Sequence, residues 1–168
     1  MALSSKQSMV AFVLAALAAA AAAAGYPGCP APSRKITVQN LCGRDLPVTV
    51  TMLGSSSPLF GASTNVRVIR RGTHETFAVC AWTGRLDTAG AAQVEFHVGS
   101  ERGGAWYQAP AAQPGMAVPV TVTPHGKLQG SCPPVGCPVQ GKCYGHTVWG
   151  GNCFNVDELK IVYCQPQQ

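Results

Sequence analysis

An all-β fold held by disulfides, an antiparallel sandwich or barrel, is what this sequence predicts. Three observations carry the prediction: short segments alternate β-branched and polar residues, no amphipathic helical window of about 11 residues interrupts them, and eight cysteines punctuate a chain of 168 residues. Charged residues make up only 11% of the chain while glycine and proline number 19 and 13, which excludes a charge-rich disordered polymer.

Residues 1–24 stand apart. Lys6 is their one charge, and an unbroken apolar stretch from Val10 to Ala24 ends in small residues, the layout of a cleaved secretory signal peptide. The stretch falls short of the ~20 residues needed to cross a bilayer. No second long apolar run follows, so no membrane span is expected, and residues 25–168 are expected to form one secreted domain and to be a monomer.

In the secreted part, residues 36–41 (ITVQNL) and 47–53 (PVTVTML) alternate in period two around a Gly43-Arg44-Asp45 turn and predict a hairpin. The same pattern predicts strands over 65–70 (NVRVIR), 76–82 (TFAVCAW), 93–98 (QVEFHV), 118–123 (VPVTVT) and 158–164 (ELKIVYC), each fenced by Gly, Pro or Ser. Alternation puts Phe77, Val79 and Ala81 on one core face and Val94, Phe96 and Val98 on another, leaving Trp82, Glu95 and His97 on the opposite faces. Pro119 suits an edge strand because it cannot donate to a ladder, and Arg67, Arg70 and Arg71 suit an edge blunted by charge. Residues 127–152 are rich in Gly, Pro and Cys with little periodicity, so disulfides must hold them.

Eight cysteines, Cys29, Cys42, Cys80, Cys132, Cys137, Cys143, Cys153 and Cys164, follow the signal peptide, an even count that reads as four disulfides. A zinc site from Cys132, Cys137, Cys143, His125 and His146 is the rival, but its spacing is not that of paired C-x2-C knuckles, and no metal or cofactor is expected. No nucleophile elbow, phosphate loop or H-E-x-x-H motif occurs, so no catalytic residue is assigned. Among the carboxylates Glu95 is distinctive, because it sits in mid-strand where it must face solvent or a cleft. A net charge of +5, with the basic residues dispersed, gives no nucleic-acid footprint.

Four stretches resemble one family. The run Val118-Pro119-Val120-Thr121-Val122-Thr123-Pro124-His125-Gly126, followed by Cys132 and Cys137, resembles the thaumatin-like (pathogenesis-related group 5) pattern "NLPVSVTPxGG…C…GC". Residues 36–42 resemble its opening strand "F-x-x-x-N-x-C", Val94-Glu95-Phe96 its "AEF", and Cys153 to Cys164-Gln165-Pro166 its closing "C…(Y)xVxFCP". The resemblance implies a flattened β-sandwich in a short form, without the disulfide-rich domain that large members insert between the positions of Cys137 and Cys153. It implies the pairs Cys42–Cys164 and Cys132–Cys153, after which Cys137–Cys143 and Cys29–Cys80 remain.

Large members line an acidic cleft with one arginine, one glutamate and three aspartates. Glu95 matches the glutamate and Arg85 is the nearest candidate for the arginine, whereas two aspartate positions hold Gln108 and Pro114 and the third falls in the shortened region. The functions implied are a secreted plant-type defence protein that binds a fungal cell-wall glycan, an inhibitor of a microbial glycanase such as xylanase using His74 or His125, or a weak β-1,3-glucanase. The partners are then cell-wall polysaccharide or the glycanase. Glu95, Arg85, Trp106 and Tyr107 are the candidate ligand-binding residues, the two aromatics because they can stack on sugar rings.

Overall fold

A computed structural model describes residues 34–165 apart from 55, 57–58, 60–64, 100–103, 110–115, 139–142 and 146–147. The signal peptide, Cys29 and His146 therefore lie outside the described residues. No helix occurs among them, and ten strands do: β1 (Arg34–Asn40), β2 (Leu46–Met52), β3 (Val66–Ile69), β4 (His74–Val79), β5 (Trp82–Asp87), β6 (Val94–Val98), β7 (Ala105–Gln108), β8 (Val120–Gly130), β9 (Val135–Cys137) and β10 (Val148–Tyr163). The fold is all-β and disulfide-stabilised, as the sequence predicts.

The strands form one hydrogen-bonded sheet in the order β3-β2-β5-β6-β7-β10-β1-β4, with β8 attached to β10 and β9 to β8. β8 runs along β10 from Cys153 to Tyr163, while β10 pairs with β7 through Val148 and Cys153 and with β1 from Glu158 to Tyr163. Register shifts between Phe154 and Glu158 separate the two halves, and Asn155 there takes a φ of 56°. Such bulges bend a strand and increase its twist, so β10 folds the sheet over on itself. The inward side chains then meet in one core containing Ile36, Val48, Leu86, Phe96, Tyr107, Leu159 and Ile161. At the far side the chain passes from β3 to β4 through a turn, Thr73 N donating to Arg70 O at 3.1 Å, and Arg67 pairs with Glu75 at 2.8 Å. The barrel is thereby nearly closed.

Four expectations need correction. The Gly43-Arg44-Asp45 turn does not close a hairpin, because β1 pairs with β10 and β4 whereas β2 pairs with β3 and β5. Residues 76–82 do not form one strand: a bend at Cys80 and Ala81 ends β4 and starts β5, which reverses the alternation. Trp82 is consequently buried at 1% exposure against Phe96, with ring centroids 4.8 Å apart, while Ala81 is exposed and Phe77 only half-buried. The indole lies over Gly84, where a Cβ would stand 2.5 Å from a ring carbon and 2.3 Å from Thr51 O, so β5 requires glycine at that point. Pro119 does not mark an edge, because β8 pairs on both sides and the proline precedes its first residue. Lastly, the pairing is not wholly antiparallel, since β1 runs parallel to β10 from Lys35↔Glu158 to Asn40↔Tyr163. By contrast Val94, Phe96 and Val98 are all at 0% exposure, on the face their alternation assigns.

Disulfides join Cys42 to Cys164 and Cys132 to Cys153, the pairs the resemblance implies, and Cys137 to Cys143, a pair that remains after them. Cys80 is disulfide-bonded as well, and Cys29, the partner inferred for it, lies outside the described residues. Cys132–Cys153 and Cys137–Cys143 hold the aperiodic stretch after β8, from which β9 and the start of β10 nevertheless emerge as strands.

Asn40, fully buried, joins three segments at one corner of the barrel. Its Nδ2 donates to Ile69 O at 2.8 Å and Arg44 O at 2.9 Å, and its Oδ1 accepts from Cys42 N at 2.8 Å. Removing it strands the buried Ile69 carbonyl and Cys42 amide, each costing about 1–3 kcal/mol. Asn40→Ala is therefore expected to destabilise the oxidised protein by about 3 kcal/mol, read as a lower urea midpoint at unchanged m-value.

Candidate functional site

On β2, β5, β6 and β7 every second side chain is taken by the core, and the alternate ones form a grid on the outward face. Pairing fixes the rows. Thr49 stands opposite Asp87, Thr51 opposite Arg85, Arg85 opposite Glu95, Glu95 opposite Gln108, Thr83 opposite His97, and His97 opposite Trp106. Each of these residues is half-buried, so the grid is a shallow relief rather than a deep cleft.

The rows differ in chemistry. In the outermost, Trp106 stacks on His97 with centroids 6.4 Å apart and planes 13° from parallel, and His97 Nδ1 shares a 2.7 Å hydrogen bond with Thr83 Oγ1. Burial lowers the His97 pKa below 6.5, which favours the neutral imidazole beside the indole. In the middle row Gln108 Nε2 donates to Glu95 Oε2 at 2.6 Å. In the third, Gln93 Nε2 donates to Asp87 Oδ1 at 2.5 Å. Arg85 links the second and third rows: its Nε stands 3.3 Å from Asp87 Oδ2, an ion pair rather than an aligned hydrogen bond. One guanidinium against two carboxylates leaves this face locally anionic on a chain of net charge +5.

Of the sequence-predicted residues, Arg85, Glu95 and Trp106 come together here and Tyr107 does not. The β pleat turns Tyr107 inward; it is at 0% exposure, donates its hydroxyl to Pro133 O at 2.7 Å, and has its pKa pushed up to about 12 by burial. Two neighbouring aromatics therefore separate into one surface and one core residue. His74 opens β4 and His125 lies within β8, both exposed but neither at a loop tip. Asp87, Gln93, Thr49 and Thr83 are additions that sequence reasoning missed. Their signal was the Arg85↔Glu95 register, which carries Asp87 toward Gln93 once β5 is recognised as a strand.

The arrangement offers hydroxyl-binding chemistry. Two carboxylates and two amides present donors and acceptors on one face of the sheet, beside an indole stacked on His97. Among the described residues no group of three or more His, Cys, Asp or Glu could hold a metal ion, and no helix is long and apolar enough to cross a membrane.

No family model matches the sequence, and no curated protein matches it. Among solved structures, the protein elicitor MoHrip2 from Magnaporthe oryzae matches with a TM-score of 0.41 at 15% identity, over 79% of this chain and 99% of that one.

The His97–Trp106 stack gives a spectroscopic test. The fluorescence component removed by Trp106→Phe is expected to titrate with a midpoint below pH 6.5, and to lose that titration in His97→Gln. Stability follows the same sign. The unfolded imidazole takes up its proton first, so His97 makes the protein less stable as pH falls from 6.5 through the lowered folded-state value, with no further change below it.

Proposed function

We propose that this protein is a secreted, defence-related binding protein of thaumatin-like type that recognises a neutral cell-wall glycan without cleaving it. The observation that carries the reading is the placement of Trp106, stacked on His97, directly beside the Arg85–Glu95–Gln108 row. A sugar ring offers an apolar C–H face and a rim of hydroxyls, and an aromatic plane flanked by planar polar groups is complementary to both.

Further features support it. Both carboxylates accept hydrogen bonds from side-chain amides, so they act as fixed acceptors toward ligand hydroxyls. The local negative charge disfavours acidic polymers on this face. Three disulfides among the described residues are typical of proteins matured in an oxidising compartment, in keeping with the signal-like start of the chain. The thaumatin-like pattern in residues 118–126 and the cysteine pairs are the basis for the defence role.

Co-sedimentation of the oxidised mature chain with insoluble β-1,3-glucan, chitin and xylan tests the proposal. Retention by one polymer is expected, lost in Trp106→Ala, weakened in Glu95→Gln and unaffected in Tyr107→Phe, with no reducing sugar released. If no polymer retains the protein the reading fails, and inhibition of a microbial xylanase becomes the leading alternative.

A further inference from the structure

An open recess of about 350 Å³ lies at the Asp87 end of the grid. Its walls combine the polar side chains of Thr49, Asp87 and Gln93 with the apolar Pro47, Ala89 and Ala91. The turn after β5 bounds it: Ala91 N donates to Thr88 O at 3.0 Å, and Gly90 O accepts from Ala117 N and Val118 N, each at 2.8 Å. That turn is tied down on both sides and forms a fixed wall rather than a flexible loop. Thr88 also lines the recess, and its hydroxyl lies beside that of the buried Tyr163.

We infer that this recess is a terminal sugar subsite, and that the grid binds the end of a linear neutral glycan about three residues long. The inference rests on the glycan-binding reading above and adds to it an end and a length. Length comes from strand geometry: Thr83 in the Trp106 row and Asp87 at the recess are separated by four residues of β5, roughly 14 Å, which is about the span of three pyranose units in an extended chain. The closed end comes from the turn wall. The recess volume, at the low end for ligand pockets, fits one ring rather than a continuing polymer. Mixed walls match such a ring, with hydroxyls toward Asp87, Gln93 and Thr49 and a C–H face toward Pro47 and the alanines.

Titration calorimetry of the oxidised mature chain with laminari-, chito- and xylo-oligosaccharides of two to five residues tests this. For the sugar series whose polymer is retained, affinity is expected to rise from dimer to trimer and to stay level at four and five. Gln93→Ala and Thr49→Val are each expected to lower trimer affinity by about tenfold while leaving the dimer unchanged. Trp106→Ala is expected to weaken every length. Affinity that keeps climbing beyond the trimer, or recess variants that affect dimer and trimer alike, would overturn the terminal subsite while the broader glycan reading stands. Absence of retention by any polymer would overturn both together.

Discussion

The parallel pairing of β1 with β10 is the constraint on which the rest of the barrel depends. β10 carries β7 on its first half, β1 on its second and β8 along both, so the sheet meets through the last strand of the described chain. Cys42–Cys164 fixes this pairing across a separation of 122 residues. In the chain-entropy model, closing a loop of that length stabilises the fold by about 5 kcal/mol. Asn40 lies two residues from Cys42 and binds the neighbouring turns to the same corner. Non-local pairing of this kind also delays folding, because the contacts that close the core become available only when the last strand is in place.

The bulge around Asn155 converts this pairing into a site. By folding β10 over, it directs the inner residues of β2, β5, β6 and β7 into a shared core and leaves their outer residues in register on a rigid surface. Strands position side chains more exactly than loops do, and here the hydrogen bonds to Glu95, Asp87 and His97 fix them further. The geometry for ligand binding is thus present before any ligand arrives, which reduces the ordering cost of binding.

Much of this was legible in the sequence where period-two alternation ran uninterrupted. Residues 93–98 placed Val94, Phe96 and Val98 inside and Glu95 outside with no help from tertiary structure. The signal faded where glycine interrupted it. Gly84 in β5 lowers strand propensity, yet it is there because the Trp82 indole occupies the space above it, a reason that exists only in the folded protein. The bend at Cys80 and Ala81 shifted parity by one position and so exchanged the places of Ala81 and Trp82. For Trp106 and Tyr107, adjacent aromatics carry no sign of which faces outward; the pairing of β7 with β6 decides it. Asp87 and Gln93 were hidden because they belong to different strands separated by a turn, and only the ladder register brings them together.

The bridge between Cys42 and Cys164 also decides how the molecule responds to force. Tension applied at residue 34 and residue 165 travels along β1 to Cys42, crosses the sulfurs and leaves through Cys164. The chain between the two cysteines lies outside that path, including β2, β5, β6 and β7 and the whole outward grid they carry. Hydrogen bonds along β1 bear the load in shear, against β10 on one side and β4 on the other, and the covalent link sets the limit of extension. A protein anchored in a swelling or drying matrix could be pulled taut by its ends while the Arg85–Glu95–Trp106 surface kept its shape.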